Sequence, residues 1–264
     1  MPEIPDFNDP RYLNEVGWFL YREKYGYNHH TGSFAGERVV WSQMLLDELT
    51  TLAGQDQAWI EDKTILTVGC SCIGDLSVWP AAAKIAVDPL LYTYQKLGML
   101  IEDAPGTSRT LFLSLGIEAL PLLDESVDIV VCRNALDHMP DPRIGMQQFW
   151  RVLKPDGVLF LSVDIGGGPT PDEPSPFTEE SLQELLDERM EVLTRQKAPK
   201  PHDRWRDYSV RILARKKGTP DRMLDKAALL QRYEESMERE RAEREASESL
   251  GRDPLMAKQP RDEA

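Results

Sequence analysis

Apolar residues along this chain recur in two rhythms, and the rhythms alternate. Short apolar runs bounded by glycine or polar turns predict strands at residues 64–68, 84–87, 110–115, 127–132 and 158–163, with a sixth at 192–195. The run at 127–132 (VDIVVC) is almost continuously apolar, as a strand covered on both faces requires. Between these runs the spacing lengthens to three and four residues and predicts helices. The first covers 10–25, where Leu13, Val16, Gly17 and Leu20 are thickened by Trp18, Phe19 and Tyr21. Others cover 37–52 (Val40, Trp41, Met44, Leu45, Leu49), a stretch opened by Pro89, 143–153, and 177–190 with Thr178 as its cap. A short helix is also expected between the first two strands.

Strands alternating with helices at this spacing imply right-handed crossovers. The fold class is therefore α/β: a doubly wound, mostly parallel, Rossmann-like sheet. Residues 208–214 (YSVRILA) alternate apolar and polar positions and suit a half-exposed antiparallel edge strand. Three stretches break the pattern. Residues 26–37 (GYNHHTGSFAGE), carrying His29 and His30, read as a loop or as a lid over a binding fold. Residues 164–176 (DIGGGPTPDEPSP) are irregular, and from Thr219 onward charged residues dominate. The expected division is N-terminal helices with a possible lid over 1–60, the main domain over 61–217, and a charged helical or partly disordered tail over 218–264.

Composition narrows the partners. The 264 residues are 41% hydrophobic, enough for a sizeable core, and carry a net charge of −14. That field repels nucleic acid and anionic membrane surfaces, so neither is an expected partner. The opening MPEIPDFNDP lacks the apolar core of a signal peptide, and no run approaches the roughly 18 to 20 apolar residues of a membrane span. A cytoplasmic protein is the expectation. Cys70, Cys72 and Cys132 are an odd number at a poor spacing for a disulfide, without further ligands at zinc spacing, so buried reduced thiols and no metal are expected.

Residues 63–89 (KTILTVGCSCIGDLSVWPAAAKIAVDP) concentrate the chemistry. A strand runs into a tight turn at Gly69, where a close backbone approach to a bulky cofactor excludes a side chain. Asp88 follows 19 positions later at the end of the next strand, close to the roughly 20 expected for a carboxylate that takes both ribose hydroxyls of an adenosine cofactor. The serine in GCSCIG does not make a nucleophile elbow, because Ile73 stands where the second glycine is needed.

Four blocks in order make residues 64–164 resemble the core of a class I S-adenosylmethionine-dependent methyltransferase of the small-molecule type. They are ILTVGCSCIG, AVDP, EALPLLDESVDIVVCRNALDHMPDP and WRVLKPDGVLFLSV. The resemblance implies S-adenosylmethionine as cofactor, held by Gly69, Cys70, Ser71, Asp88, Pro89, Ile117, Glu118 and Asn134. It implies an acceptor placed near His138, Asp137 and Asp164, with His138 a candidate base for a hydroxyl acceptor. The acceptor is expected to be a small or sugar-containing molecule; the charged tail reads as a solvated, partly frayed helix, with contact to a protein partner as the alternative. His202, Asp203, Trp205 and Tyr208 form a packed loop or a wall of the acceptor site. Thr67 replaces the family's usual acidic residue, and Ser71 and Ile73 replace usual glycines, with Gly74 one position late. The altered turn leaves a second reading, a non-catalytic binding or scaffold protein on the same fold.

Overall fold

The structure, a computed structural model, describes residues 10–25, 34–72, 74–100, 103–199 and 208–218. His29, His30, Ile73, His202, Asp203, Trp205 and the charged tail from residue 219 lie outside the described residues. The chain divides into two units, Met1–Thr219 and Pro220–Ala264, and all described residues belong to the first.

Two helices, α1 (Pro10–Tyr25) and α2 (Phe34–Ala53), precede strand β1 (Thr64–Val68). Then come β2 (Ala83–Val87), α3 (Leu91–Lys96), β3 (Thr110–Leu113), β4 (Val127–Arg133) and α4 (Pro142–Val152). The chain continues through β5 (Leu153–Ile165), α5 (Glu179–Asp187), β6 (Met190–Pro199) and β7 (Tyr208–Lys216). Thr178 caps α5 as its sequence implies, accepting from the Ser181 amide in a reciprocal capping box.

The seven strands form one sheet in the order β3-β2-β1-β4-β5-β7-β6. Neighbours are parallel except where β7 pairs antiparallel with β5 and β6. The strand at 208–214 is therefore antiparallel but not an edge; β6 lies outside it. Arg211, which made that strand look half-exposed, instead reaches Glu48 of α2 at 2.8 Å on the face of the sheet. No helix joins β1 to β2 among the described residues. That connection is a series of turns (Ser77 N donates to Gly74 O at 2.9 Å, Trp79 N to Leu76 O at 3.1 Å) that stops at Pro80.

Strand periodicity sorts the core into two faces. Ile65, Ile129, Val131, Phe160 and Leu213 pack against Leu45, Leu46 and Leu49 of α2 and the buried Trp79. The alternate positions, among them Leu66, Val130, Leu161 and Ile212, pack against Met146 and Phe149 of α4 and Leu182 and Leu186 of α5. In α1 the buried residues are Val16 and Phe19, which meet Cys72, Leu90 and Tyr94; Leu13 and Leu20 are exposed. In α2 the buried stripe is Leu45, Leu46 and Leu49, while Val40 and Met44 are exposed.

Because β2 and β3 lie to one side of β1 and β4 and β5 to the other, the winding reverses between β1 and β4. The crevice outside the carboxyl ends of those two strands is where such sheets bind ligands.

Two buried polar ties brace these strands, one at the amino end of β2 and one near the carboxyl end of β1. Lys84 of β2 is 1% exposed, and its ammonium donates to Leu76 O (3.1 Å), Asp103 Oδ1 (2.7 Å) and Thr107 Oγ1 (3.1 Å). Burial works against the Asp103 charge, yet hydrogen bonds from Lys84 and Thr110 hold its carboxyl below the usual range. In β1, Thr67 Oγ1 donates to Asp75 Oδ2 at 3.0 Å. Burial pushes the Asp75 carboxyl up to about 6, against the pull of Arg133 and of the Thr67 bond.

Replacing Lys84 with Met is expected to cost on the order of 3 kcal/mol, since it strands Asp103 without its counter-ion; an unchanged urea midpoint would show that the pair is dispensable. Asp75 gives a pH-dependent expectation. Above the usual carboxylate range and below about 6, the unfolded chain releases this proton and the folded chain keeps it. Its contribution to stability therefore falls as pH rises, by about 1.4 kcal/mol per pH unit. Asp75→Asn removes that fall; equal slopes for both proteins between about pH 5 and pH 6 would refute the assignment.

Candidate functional site

The turn after β1 and the turn after β4 meet at the crevice. Gly69 donates its N–H to Val87 O at 2.8 Å and sits at φ +71, and a Cβ there would overlap that of Ala135. Glycine is thus required at this position, because the turn after β4 already fills the space a side chain would take. Ser71 (φ 49) and Asn134 (φ 47) hold the left-handed conformation without being glycine, and Gly74 joins them at φ 70. Such residues cost roughly 1–3 kcal/mol each and persist where surrounding bonds enforce them. Here Ser71 N donates to Asp88 Oδ2 at 2.9 Å and Asn134 N to Ser162 O at 2.7 Å. From α2, the Arg38 guanidinium donates to Cys72 O at 3.0 Å and also to Met99 O, fastening the turn from outside.

Asp88, 7% exposed, ends β2 at the centre of this arrangement. Its Oδ1 accepts from Leu90 N at 2.8 Å and its Oδ2 from Ser71 N at 2.9 Å. Burial raises its carboxyl above the usual range, while the amides of Leu90 and Ser71 and the nearby His138 pull it down. A carboxylate offers about four lone-pair positions, so one on each oxygen remains for a ligand. Two free acceptor positions on one rigid carboxylate suit a vicinal diol. The residues present therefore fit the ribose of an adenosine cofactor.

The remaining expected residues lie along the same carboxyl edge. Pro89 and Asn134 are exposed at its rim, Ile117 is buried, and Glu118 is exposed with its carboxylate folded over Gly116. The Cys70 side chain packs inward with Ala86 and Leu91, which leaves only its backbone for a ligand. All three cysteines are free and buried, and burial pushes each thiol up, Cys72 to about 12. None is a thiolate nucleophile near neutral pH. Asp164 is buried at the end of β5 and accepts from Ser209 Oγ at 2.7 Å across the β5–β7 pair.

Asp137 (1% exposed) and the half-buried His138 follow β4, and the loop after β5 closes against them. Ser175 N donates to Asp137 O at 3.1 Å, Ser175 Oγ to Met139 O at 2.9 Å, and His138 Nε2 lies 4.0 Å from Glu173 Oε1. From above, Asn14 of α1 donates to Asp172 Oδ1 at 2.9 Å. Next to it, Glu15 enters the same pocket: burial, then the charges of Asp88, Asp172 and Asp137, push its carboxyl up to about 7. Neither Glu15 nor Glu173 was singled out from the sequence. Glu15 had a signal, because it stands three residues after Tyr12 and four before Phe19, on the helix face that packs inward. Glu173, within an irregular proline-rich loop, had none.

Residues 66–161 match the family described as "Methyltransferase domain". The chain is 36% identical over 106 residues to a ubiquinone biosynthesis O-methyltransferase of Haemophilus ducreyi, covering 38% of this chain and 44% of that protein. It spans less than half the length of the first curated relatives it matches. In fold it is similar to the [4+2]-cyclase SpnF (TM-score 0.57, 14% identity, covering 83% of this chain and 99% of SpnF). It is also similar to the 1,6-didemethyltoxoflavin-N1-methyltransferase of Burkholderia thailandensis, solved with 1,6-didemethyltoxoflavin and S-adenosylhomocysteine (TM-score 0.51, 19% identity, covering 82% of this chain and 93% of that one). Over residues 66–161, which hold the central strands, the chain is therefore similar to the methyltransferase domain family, and the sheet that carries them has the fold of the solved methyltransferase.

Proposed function

We propose that this protein transfers the methyl group of S-adenosylmethionine to a small-molecule acceptor in the crevice beyond β1 and β4. The observation that carries this reading is Asp88, whose two oxygens each keep a lone pair after binding Ser71 and Leu90. Further support comes from relatives named for small-molecule methyl transfer, the ubiquinone O-methyltransferase and a thiol S-methyltransferase of Rattus norvegicus. The altered glycine turn is compatible with the enzyme reading, because Ser71 keeps a positive φ and still donates to Asp88.

When bound, the cofactor supplies a methyl group on a sulfonium, which leaves as a neutral thioether. What the chain must do is hold the acceptor in line with that methyl and keep water away. Asp88 holds the ribose, and the backbone of Gly69, Cys70 and Ser71 borders the methionine side. Ile117 and Glu118, after β3, border the adenine, with Pro89 and Asn134 at the rim. Asp137 and His138 face the acceptor, α1 covers the crevice, and Asp164, fixed by Ser209, supports the end of β5. In this reading the acceptor is a small or sugar-bearing molecule, because the carboxylates gathered at the crevice disfavour polyanions.

Calorimetric titration with S-adenosylhomocysteine tests the assignment directly. Asp88→Ala should weaken binding at least tenfold, about 1.4 kcal/mol or more for an acceptor that meets two hydroxyls. Circular dichroism of the variant checks that the fold survives the loss of the two amide bonds. Wild-type affinity in a folded variant would remove Asp88 from the site, and no binding to the wild-type protein would sink the enzyme reading.

A further inference from the structure

Beyond the diol-binding carboxylate, one cluster has donor chemistry of its own. Asp137, His138 and Glu173 each present a ligand atom, and these atoms all lie within 4.8 Å of one another. Two come from the turn after β4 and one from the loop after β5. The two segments are held together by Ser175, which bonds both Asp137 O and Met139 O, and the loop is tied to α1 through Asn14 and Asp172. The donors therefore sit on backbone that is already braced, which lowers the cost of ordering them around an ion. The charge around them is also one-sided: Asp172 adjoins Glu173 in the loop, and Asp88 lies close enough to His138 to feel its charge.

We propose that Asp137, His138 and Glu173 form a divalent-cation site on the acceptor side of the crevice. Two carboxylates and one imidazole suit an ion that accepts both oxygen and nitrogen, in the class of Mn2+ and Zn2+, better than Ca2+ or Mg2+. Three protein donors leave coordination positions open toward the pocket, the arrangement of a site that binds a substrate rather than one that only braces a fold. Its role there rests on the proposed methyl transfer. The ion would bind an acceptor hydroxyl and lower its pKa, so that the proton leaves to solvent. The resulting oxygen anion then forms the O–CH3 bond as the S–CH3 bond breaks, and the sulfonium becomes a neutral thioether. This narrows the acceptor to one that carries a hydroxyl, and it makes His138 a ligand in place of a general base.

The test uses the full chain, stripped with a chelator and titrated with MnCl2 and separately with ZnCl2, by calorimetry and, for Mn2+, by electron paramagnetic resonance. One ion per chain is expected for at least one of the two metals. His138→Ala and Glu173→Gln should each weaken that site at least tenfold. Glu173 lies in a surface loop, so its variant tests the site without unfolding the domain. Binding of neither metal at one site per chain, or binding that both variants leave unchanged, overturns the proposal and reduces His138 and Glu173 to an ion pair. S-adenosylhomocysteine titrated into the same samples keeps the two ideas apart. Metal bound without the nucleoside would fail the methyltransferase reading alone, and nucleoside bound without metal would fail the cation site alone.

Discussion

A single buried carboxylate organises the carboxyl edge of this sheet. Asp88 stands at the end of β2 and accepts one amide from the turn after β1 and one from the start of α3. Without an anion there, the Ser71 and Leu90 amides would face a buried site unpaired, and Ser71 would lose the bond that holds it in the left-handed region. The same carboxylate keeps lone pairs pointed at the crevice, so the group that shapes the turn is also the group equipped to hold a ligand. Structural and binding roles are often discussed as alternatives for a residue of this kind; here each depends on the other.

Charge is the second constraint. Glu15, Asp88, Asp137 and Asp172 arrive from a helix, a strand end, a turn and a loop, and their mutual repulsion adds to burial in raising Glu15 toward neutrality. Such crowding costs stability. It is tolerable in a pocket whose ligand carries positive charge, as a sulfonium does and as a divalent cation does. The acidic surface of the whole chain and the acidic pocket thus favour the same partners, small cationic ligands over polyanions.

Most of the architecture was legible in the chain. The strands at 64–68, 84–87, 127–132 and 158–163 follow from apolar runs too short for helices, and helices α4 and α5 from apolar residues three and four apart. The structural part of Asp88 was legible for a physical reason, since an acid at the end of a buried strand needs partners, which the Ser71 and Leu90 amides supply. The need for glycine at 69 was legible in the tight turn, but the contact with Ala135 was not, Ala135 being remote in sequence. The expected helix between β1 and β2 fails because Pro80 and the docking of Trp79 on Ser42 hold that segment in turns. The strand at 208–214 was placed at an edge because alternation reports exposure, whereas Arg211 satisfies its charge by pairing across a sheet face.

The amino-acid sequence by itself determined most of the local conformations, the parallel winding and which turns gather at the carboxyl edge of the sheet, because periodicity and turn chemistry act between residues close along the chain. Which charged groups meet at that edge was decided only by the tertiary structure. Glu15, Asp88, Asp137 and Glu173 are scattered over more than half of the chain, and Coulomb interactions depend on distance in space and on burial. An acid on a helix reads as solvated until the face it occupies is known to be covered. Once α1 lies over the crevice, Glu15 and the loop beneath it become part of the site that Asp88 began.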